Sequence, residues 1–217
     1  MTDALNAICD AIRADFAARS AARDAALARS RELTRRCAEA IRAVHRREWD
    51  AADSLLDAAR SAAADLRALV APYPDLLGAG YTQDALKELV EAFAMRAIIH
   101  DTPLPTPESL AVPGAAYLNG LAEAASELRR FILDILRRAD ADAAAHAESE
   151  RLLDCMDAIY DQLVTFDFPD AITGDLRRRT DALRAVLERT RGDLTQTLQQ
   201  ARLTAALARA EARLDNP

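Results

Sequence analysis

The sequence predicts an all-α protein, a single-domain bundle of about six or seven helices over residues 1–217. Two observations carry this. Alanine, leucine, arginine and acidic residues dominate while glycine occurs only six times, which is the composition of long helices. Apolar residues recur at spacings of three and four, and no strand-like alternation runs beyond four residues. With 51% hydrophobic residues, the chain can bury a sizeable core.

The elements follow in order. Leu5, Ile8, Ile12 and Phe16 predict a first amphipathic helix from Thr2. A second is expected from about Ala21 to His45, with Leu33, Cys37, Ala40, Ile41 and Val44 on one side. Only Arg46 and Arg47 then separate it from a third helix, which starts near Glu48 and carries Trp49, Leu55, Leu56, Leu66 and Leu69. The stretch APYPDLLGAG, residues 71–80, is the first clear break. A strongly apolar helix follows, DALKELVEAFAMRAIIH, with Thr82 or Gln83 as its expected cap. Residues 101–114 hold four prolines and predict a long loop of the kind that often serves function. Further helices are expected from Ala115 to about Arg138, from Ala141 to about Thr165, and from Leu176 towards Leu214. The leucines of the last helix, Leu183, Leu187, Leu194, Leu198, Leu203 and Leu207, suit packing against another helix of this chain or of a second one.

Charge and cysteine usage exclude several classes. A net charge of −7 argues against an all-round nucleic-acid-coating surface, although a local basic patch remains open. Cys9, Cys37 and Cys155 are odd in number, widely spaced and set in helical patterns; they read as buried free thiols of a reducing compartment. Asp3, Asp10 and Asp15 interrupt any signal-peptide run, and no window approaches a membrane span, so a cytoplasmic location is expected. The three histidines are isolated, which disfavours zinc chemistry, and no Gly-rich phosphate loop, Ser/His/Asp set or CxxC is found.

Two acidic pairs stand out. Glu88 and Glu91 lie three apart on the apolar helix, sharing a face with Met95, Ile98 and Ile99, while Leu86, Leu89, Val90, Phe93 and Ala97 lie opposite. A helix covered on both sides would bury these carboxylates, which then need a cation or a proton. Lys87 and Arg96 could supply salt bridges; a metal ion could do the same, and periodicity does not separate the two. On the next long helix Asn119, Glu123, Glu127, Arg130 and Asp134 form one stripe, with the carboxylates of Glu123 and Glu127 stacked on one face. Taken alone this is an ordinary polar face. Taken together, two acidic pairs on neighbouring helices suit a hard divalent cation such as Mg²⁺, which serves phosphodiester hydrolysis.

Basic residues cluster elsewhere. Between Arg29 and Arg47 seven arginines stand against Glu32 and Glu39. Arg31, Arg35, Arg42, His45 and Arg46 share a stripe on the helical wheel, with the two glutamates off to one side, and such a strip suits a phosphate backbone. The alternative is a solvated helix with local salt bridges. No aromatic residues are interleaved, so base stacking is not signalled.

The order of these features resembles the translin/TRAX family, from about Arg29 to Leu194. RELTRRCAEAIRAVHRREWDAADSLLDAA resembles the family's N-terminal helix pair, with its basic helix ending in His45-Arg46. KELVEAF resembles the Glu-Tyr-Val-Glu-Ala segment of TRAX, and YLNGLAEAASELRR a segment shared by both branches. AIYDQLVTFDFPDA and LRRRTDALRAVLERTRGDL resemble the closing helices. The resemblance implies an all-helical fold that assembles into a closed, octamer-like barrel enclosing single-stranded RNA or DNA. It implies a Mg²⁺-dependent endoribonuclease site, with Mn²⁺ as a substitute ion, in which Glu88, Glu91, Glu123 and Glu127 are both metal ligands and catalytic groups. Two departures are visible: TRAX has Asp where this chain has Glu123, and Lys87 stands beside Glu88. The ASEL around Glu127 is translin-like, while the acidic residue at 123 is TRAX-like.

Three functions follow as expectations. The first is a homo-oligomeric, Mg²⁺-dependent ribonuclease that binds phosphates through Arg31, Arg35, Arg42, His45, Arg46 and Arg130. The second is a non-catalytic, translin-like protein that binds single-stranded RNA or DNA. The third is a purely structural helical oligomer.

Overall fold

The computed structural model describes residues 1–138 and 143–214. Nine helices and no strands occur among them: α1 (Thr2–His45), α2 (Trp49–Val70), α3 (Pro74–Leu77), α4 (Gly80–Ile99), α5 (Pro107–Leu110), α6 (Gly114–Arg138), α7 (Ala143–Leu163), α8 (Asp170–Thr173) and α9 (Leu176–Leu214). Six are long and three are single turns, in line with the all-α bundle the sequence predicts. The expected start of α7 at Ala141 lies outside the described residues.

One expectation fails at the N-terminus. Residues 2–45 form one unbroken helix of 44 residues instead of two. The reason is local: Ala17-Ala18-Arg19-Ser20-Ala21-Ala22 contains strong helix formers and no glycine or proline to stop them. The first eighteen residues are exposed, with Leu5, Ile8, Ile12 and Phe16 between 49% and 65% exposed. Cys9 is also exposed, so of the three free thiols only Cys37 is fully buried.

The α1–α2 turn is closed by main-chain bonds, with the Arg46 guanidinium donating across it to the Glu48 carboxylate. Arg47 takes a left-handed conformation (φ 57°), its N–H donates to Val44 O, and the Glu48 N–H donates to Ala43 O. That pairing satisfies the last carbonyls of α1 and reverses the chain. At the start of α4 the cap is not Thr82 or Gln83, because the helix begins at Gly80; Thr82 instead lies inside it and donates its hydroxyl to Leu76 O at 2.8 Å. The proline-rich segment after α4 is a strap. Its own Leu110 and Val112 are buried, Arg60 and Arg67 of α2 donate to its carbonyls, and Tyr117 donates to Pro105 O.

α4 is the axis of the bundle. Leu86, Leu89 and Val90 pack into one apolar cluster with α1 and α2, while Met95, Ile98 and Ile99 pack into a second with α6, α7 and α9. Each such side chain, fully buried, contributes roughly 1.5–3 kcal/mol. This explains why α4 is apolar around nearly its whole circumference: helices stand on both sides of it.

α4 and α6 approach closely at Gly120. A Cβ there would lie 2.5 Å from Lys87 O and 2.7 Å from Val90 Cβ. Gly120→Ala is therefore expected to destabilise the fold by about 1–3 kcal/mol, seen as a lower denaturation midpoint. A loss under 0.5 kcal/mol would show that the two helices part there without penalty.

Candidate functional site

The α4–α6 contact brings the acidic residues together. Glu88 and Glu91 come from α4, while Glu123, one turn beyond Gly120, comes from α6. One carboxylate oxygen from each of Glu88, Glu91 and Glu123 lies within 4.8 Å of the other two. Oxygen-only donors at this separation, drawn from two rigid helices, fit a hard divalent cation.

The protein's own cations reach into the same place. Lys87 Nζ lies 2.6 Å from Glu123 Oε2 and 3.1 Å from Glu88 Oε1. Arg179, from α9, pairs with Glu123 Oε1. Of the two cationic partners the sequence offered, only Lys87 serves: Arg96 pairs with Asp53 at 2.8 Å and stacks over Trp49. Sequence reading missed Arg179. Its signal lay in the run Arg177-Arg178-Arg179 between Leu176 and Thr180, both buried, which sets Arg179 at the margin of the buried face of α9.

Glu127 lies beside the cluster in a subsite of its own. His45 Nε2–H donates to its Oε1 at 2.8 Å, and Arg130 Nη1 stands 3.5 Å from the same oxygen. The His45 side chain is 8% exposed and rests against Phe131, so it faces the carboxylates and not an outer phosphate strip. Its Nδ1 is buried and has no hydrogen-bond partner among the described residues.

Burial pushes the Glu91 carboxyl up to about 7, helped by Glu88 and Glu127 and opposed by Lys87 and Arg179. Behind it, Cys37 of α1 has its thiol held well above the ordinary range by burial and then by Glu88 and Glu91.

The basic strip is less pure than its wheel suggests. Arg35 binds both Glu32 and Glu39, at 2.8 and 2.7 Å, Arg36 shares Glu32, and Arg46 pairs with Glu48. The two glutamates that were expected off to one side are within reach because they stand three and four residues from Arg35. Among the described residues, exposed Arg31 and Arg42 make no ion pair. A groove of about 750 Å³ lies along Leu163–Asp170 and the start of α9, and none of the four glutamates lines it.

Fold and site together define an all-helical bundle with a carboxylate cluster between its central helices. No family model matches the sequence. An uncharacterised protein of Methanocaldococcus jannaschii (MJ0175) is 31% identical over 199 residues, covering 90% of this chain and 85% of that one. Among solved structures, the crystal structure of AfC3PO has a TM-score of 0.80 at 31% identity, and its duplex RNA complex has 0.75 at 32%; each covers 90% of this chain and 98% of the other. Apo-NeC3PO, 18% identical with a TM-score of 0.76 over 87% of this chain and 96% of its own, shares the fold. The chain belongs to the translin/TRAX family. Among the described residues no helix is long and apolar enough to cross a membrane.

The raised Glu91 carboxyl has a consequence for stability. Folding takes up a proton between the ordinary carboxylate range and pH 7, so in metal-free protein Glu91 makes stability fall as pH rises through that window and level off above it. Glu91→Gln is expected to remove that slope, making the variant more stable than wild type at pH 8 in EDTA but little different at pH 4.5. Parallel unfolding curves at the two pH values would show that Glu91 ionises without penalty.

Proposed function

We propose that this chain is the subunit of a homo-oligomeric, metal-dependent endoribonuclease that takes single-stranded RNA into a closed, octamer-like barrel. The convergence of Glu88, Glu91 and Glu123 supports this reading most directly. Mg²⁺, or Mn²⁺ in its place, would be held by these three, with Glu127 beside them. Bound there, the ion would supply Lewis-acid charge for hydrolysis of a phosphodiester.

The chain's own groups supply the rest. In the metal-free chain burial holds the Glu91 carboxyl at about 7, so an ion loading there would displace its proton and load more readily as pH rises. His45 and Arg130 both hold Glu127 through its Oε1. Within the basic strip, Arg31 and Arg42 are exposed and make no ion pair among the described residues, which leaves them open to phosphates, with Arg35 and Arg46 available once they release their glutamates. RNA as the ligand is supported by the AfC3PO–duplex RNA complex, a relative with 32% identity.

A second reading has its own observation. Lys87 and Arg179 already neutralise much of the acidic cluster, as would suit a translin-like protein that binds RNA or DNA without cutting. Labelled single-stranded and duplex RNA, incubated with the purified protein in Mg²⁺ or EDTA, separates the two. The nuclease reading expects cleavage only with Mg²⁺, reduced at least a hundredfold by Glu123→Gln or Glu127→Ala. Salt-sensitive binding with equal, negligible cleavage in both buffers would sink it and leave the binding protein. Arg31→Ala with Arg42→Ala is expected to weaken RNA binding and flatten its salt dependence.

Assembly has support in the exposed stripe of α1. Leu5, Ile8, Ile12 and Phe16 line one face of its exposed N-terminal part, and Leu203 and Leu207 are over half exposed on α9. Such stripes mark contacts between chains. Replacing Ile12 and Phe16 together by Glu is expected to lower the mass measured by light scattering while leaving helix content intact; an unchanged mass would place the contacts elsewhere.

A further inference from the structure

The chain contains 27 arginines and one lysine, and that lysine is Lys87. Its position is as unusual as its identity. Lys87 is 8% exposed, with its carbonyl against Gly120 and its ammonium between Glu88 and Glu123. An ammonium is a compact point charge with three donors, whereas guanidinium is a broad planar fork. Between two carboxylates that also belong to a three-oxygen cluster, the compact cation occupies the place a small divalent ion would take.

We infer that Lys87 is a tethered cation seated in the metal position between Glu88 and Glu123, so that a divalent ion loads this site only by displacing the ammonium. Lys87 thereby sets the ion concentration at which the cluster fills. This rests on the metal-binding reading proposed above. The alternative seat for the displaced ammonium is towards an incoming phosphate, since Lys87 has a flexible four-carbon stem and the cluster opens where its carboxylates are partly exposed. Arg179 does not duplicate the role: it arrives from α9 on the other oxygen of Glu123 and makes no ion pair with Glu88.

The test uses the intact oligomer and Mn²⁺ alone as probe, with binding read by electron paramagnetic resonance of the free ion and by thermal unfolding. Lys87→Gln and Lys87→Met, two variants that lose the charge and are one atom shorter, guard against a failure of either to fold. Both are expected to bind Mn²⁺ at least tenfold more tightly than wild type. Both should melt below wild type in EDTA and recover that loss when Mn²⁺ is added. Adding Glu123→Gln to either should abolish the gain, tying it to this cluster. Equal Mn²⁺ affinity in wild type and both variants would overturn the displacement while leaving the metal site standing. Weaker binding in the variants would overturn it too, showing that Lys87 helps hold the ligands. Binding by none of the proteins would remove both the metal site and this role for Lys87.

Discussion

Everything in the acidic cluster depends on two backbones meeting at Gly120. Without a side chain there, the Lys87 carbonyl and Val90 sit directly against α6. Glu123 follows one turn later and Glu127 one turn after that, on the side that faces α4 and α1. Helices held apart by ordinary side chains pack 8–10 Å between axes. A glycine at the crossing lets carboxylates from two helices converge without long, flexible side chains having to find each other.

Convergence creates an electrostatic problem, and each surrounding helix answers it with a side chain that pairs with a carboxylate. Lys87 comes from α4, His45 from the end of α1, Arg130 from α6 and Arg179 from α9. Glu91 makes no ion pair among the described residues, and burial raises its carboxyl to about 7. Charge pairs of this kind give up much of their attraction to desolvation, so they contribute little net stability. Their effect is to order the carboxylates. The bundle's stability comes from the two apolar clusters on either side of α4.

Much of this was legible in the sequence, and what was not has identifiable physical causes. The all-round apolar pattern of α4 signalled a central helix, and it is buried on both sides. The acidic pairs were visible as pairs, but which of their oxygens meet depends on the crossing at Gly120, which no single-helix periodicity reports. The unbroken length of α1 was hidden because Ala17–Ala22 has no apolar stripe to carry the phase across. Arg35 looked open on a wheel, although its spacing from Glu32 and Glu39 already encoded two ion pairs. His45 fell on the basic stripe by angle, yet the last turn of α1 tilts it inward onto Glu127. Arg179 needed the packing of α9 on α6 to be seen at all.

The single rod of α1 joins two tasks that lie far apart. At 1.5 Å per residue its 44 residues span roughly 66 Å. One end carries the bare apolar stripe, and the other carries His45 on Glu127. Since each residue turns the helix by about 100°, inserting or deleting one residue between Phe16 and Ala22 would swing the stripe a quarter-turn or more about the axis while His45 stayed in place. Changes of about seven residues, two full turns, would keep the phase and alter only the reach. The length of this helix is thus constrained as an angle before it is constrained as a distance.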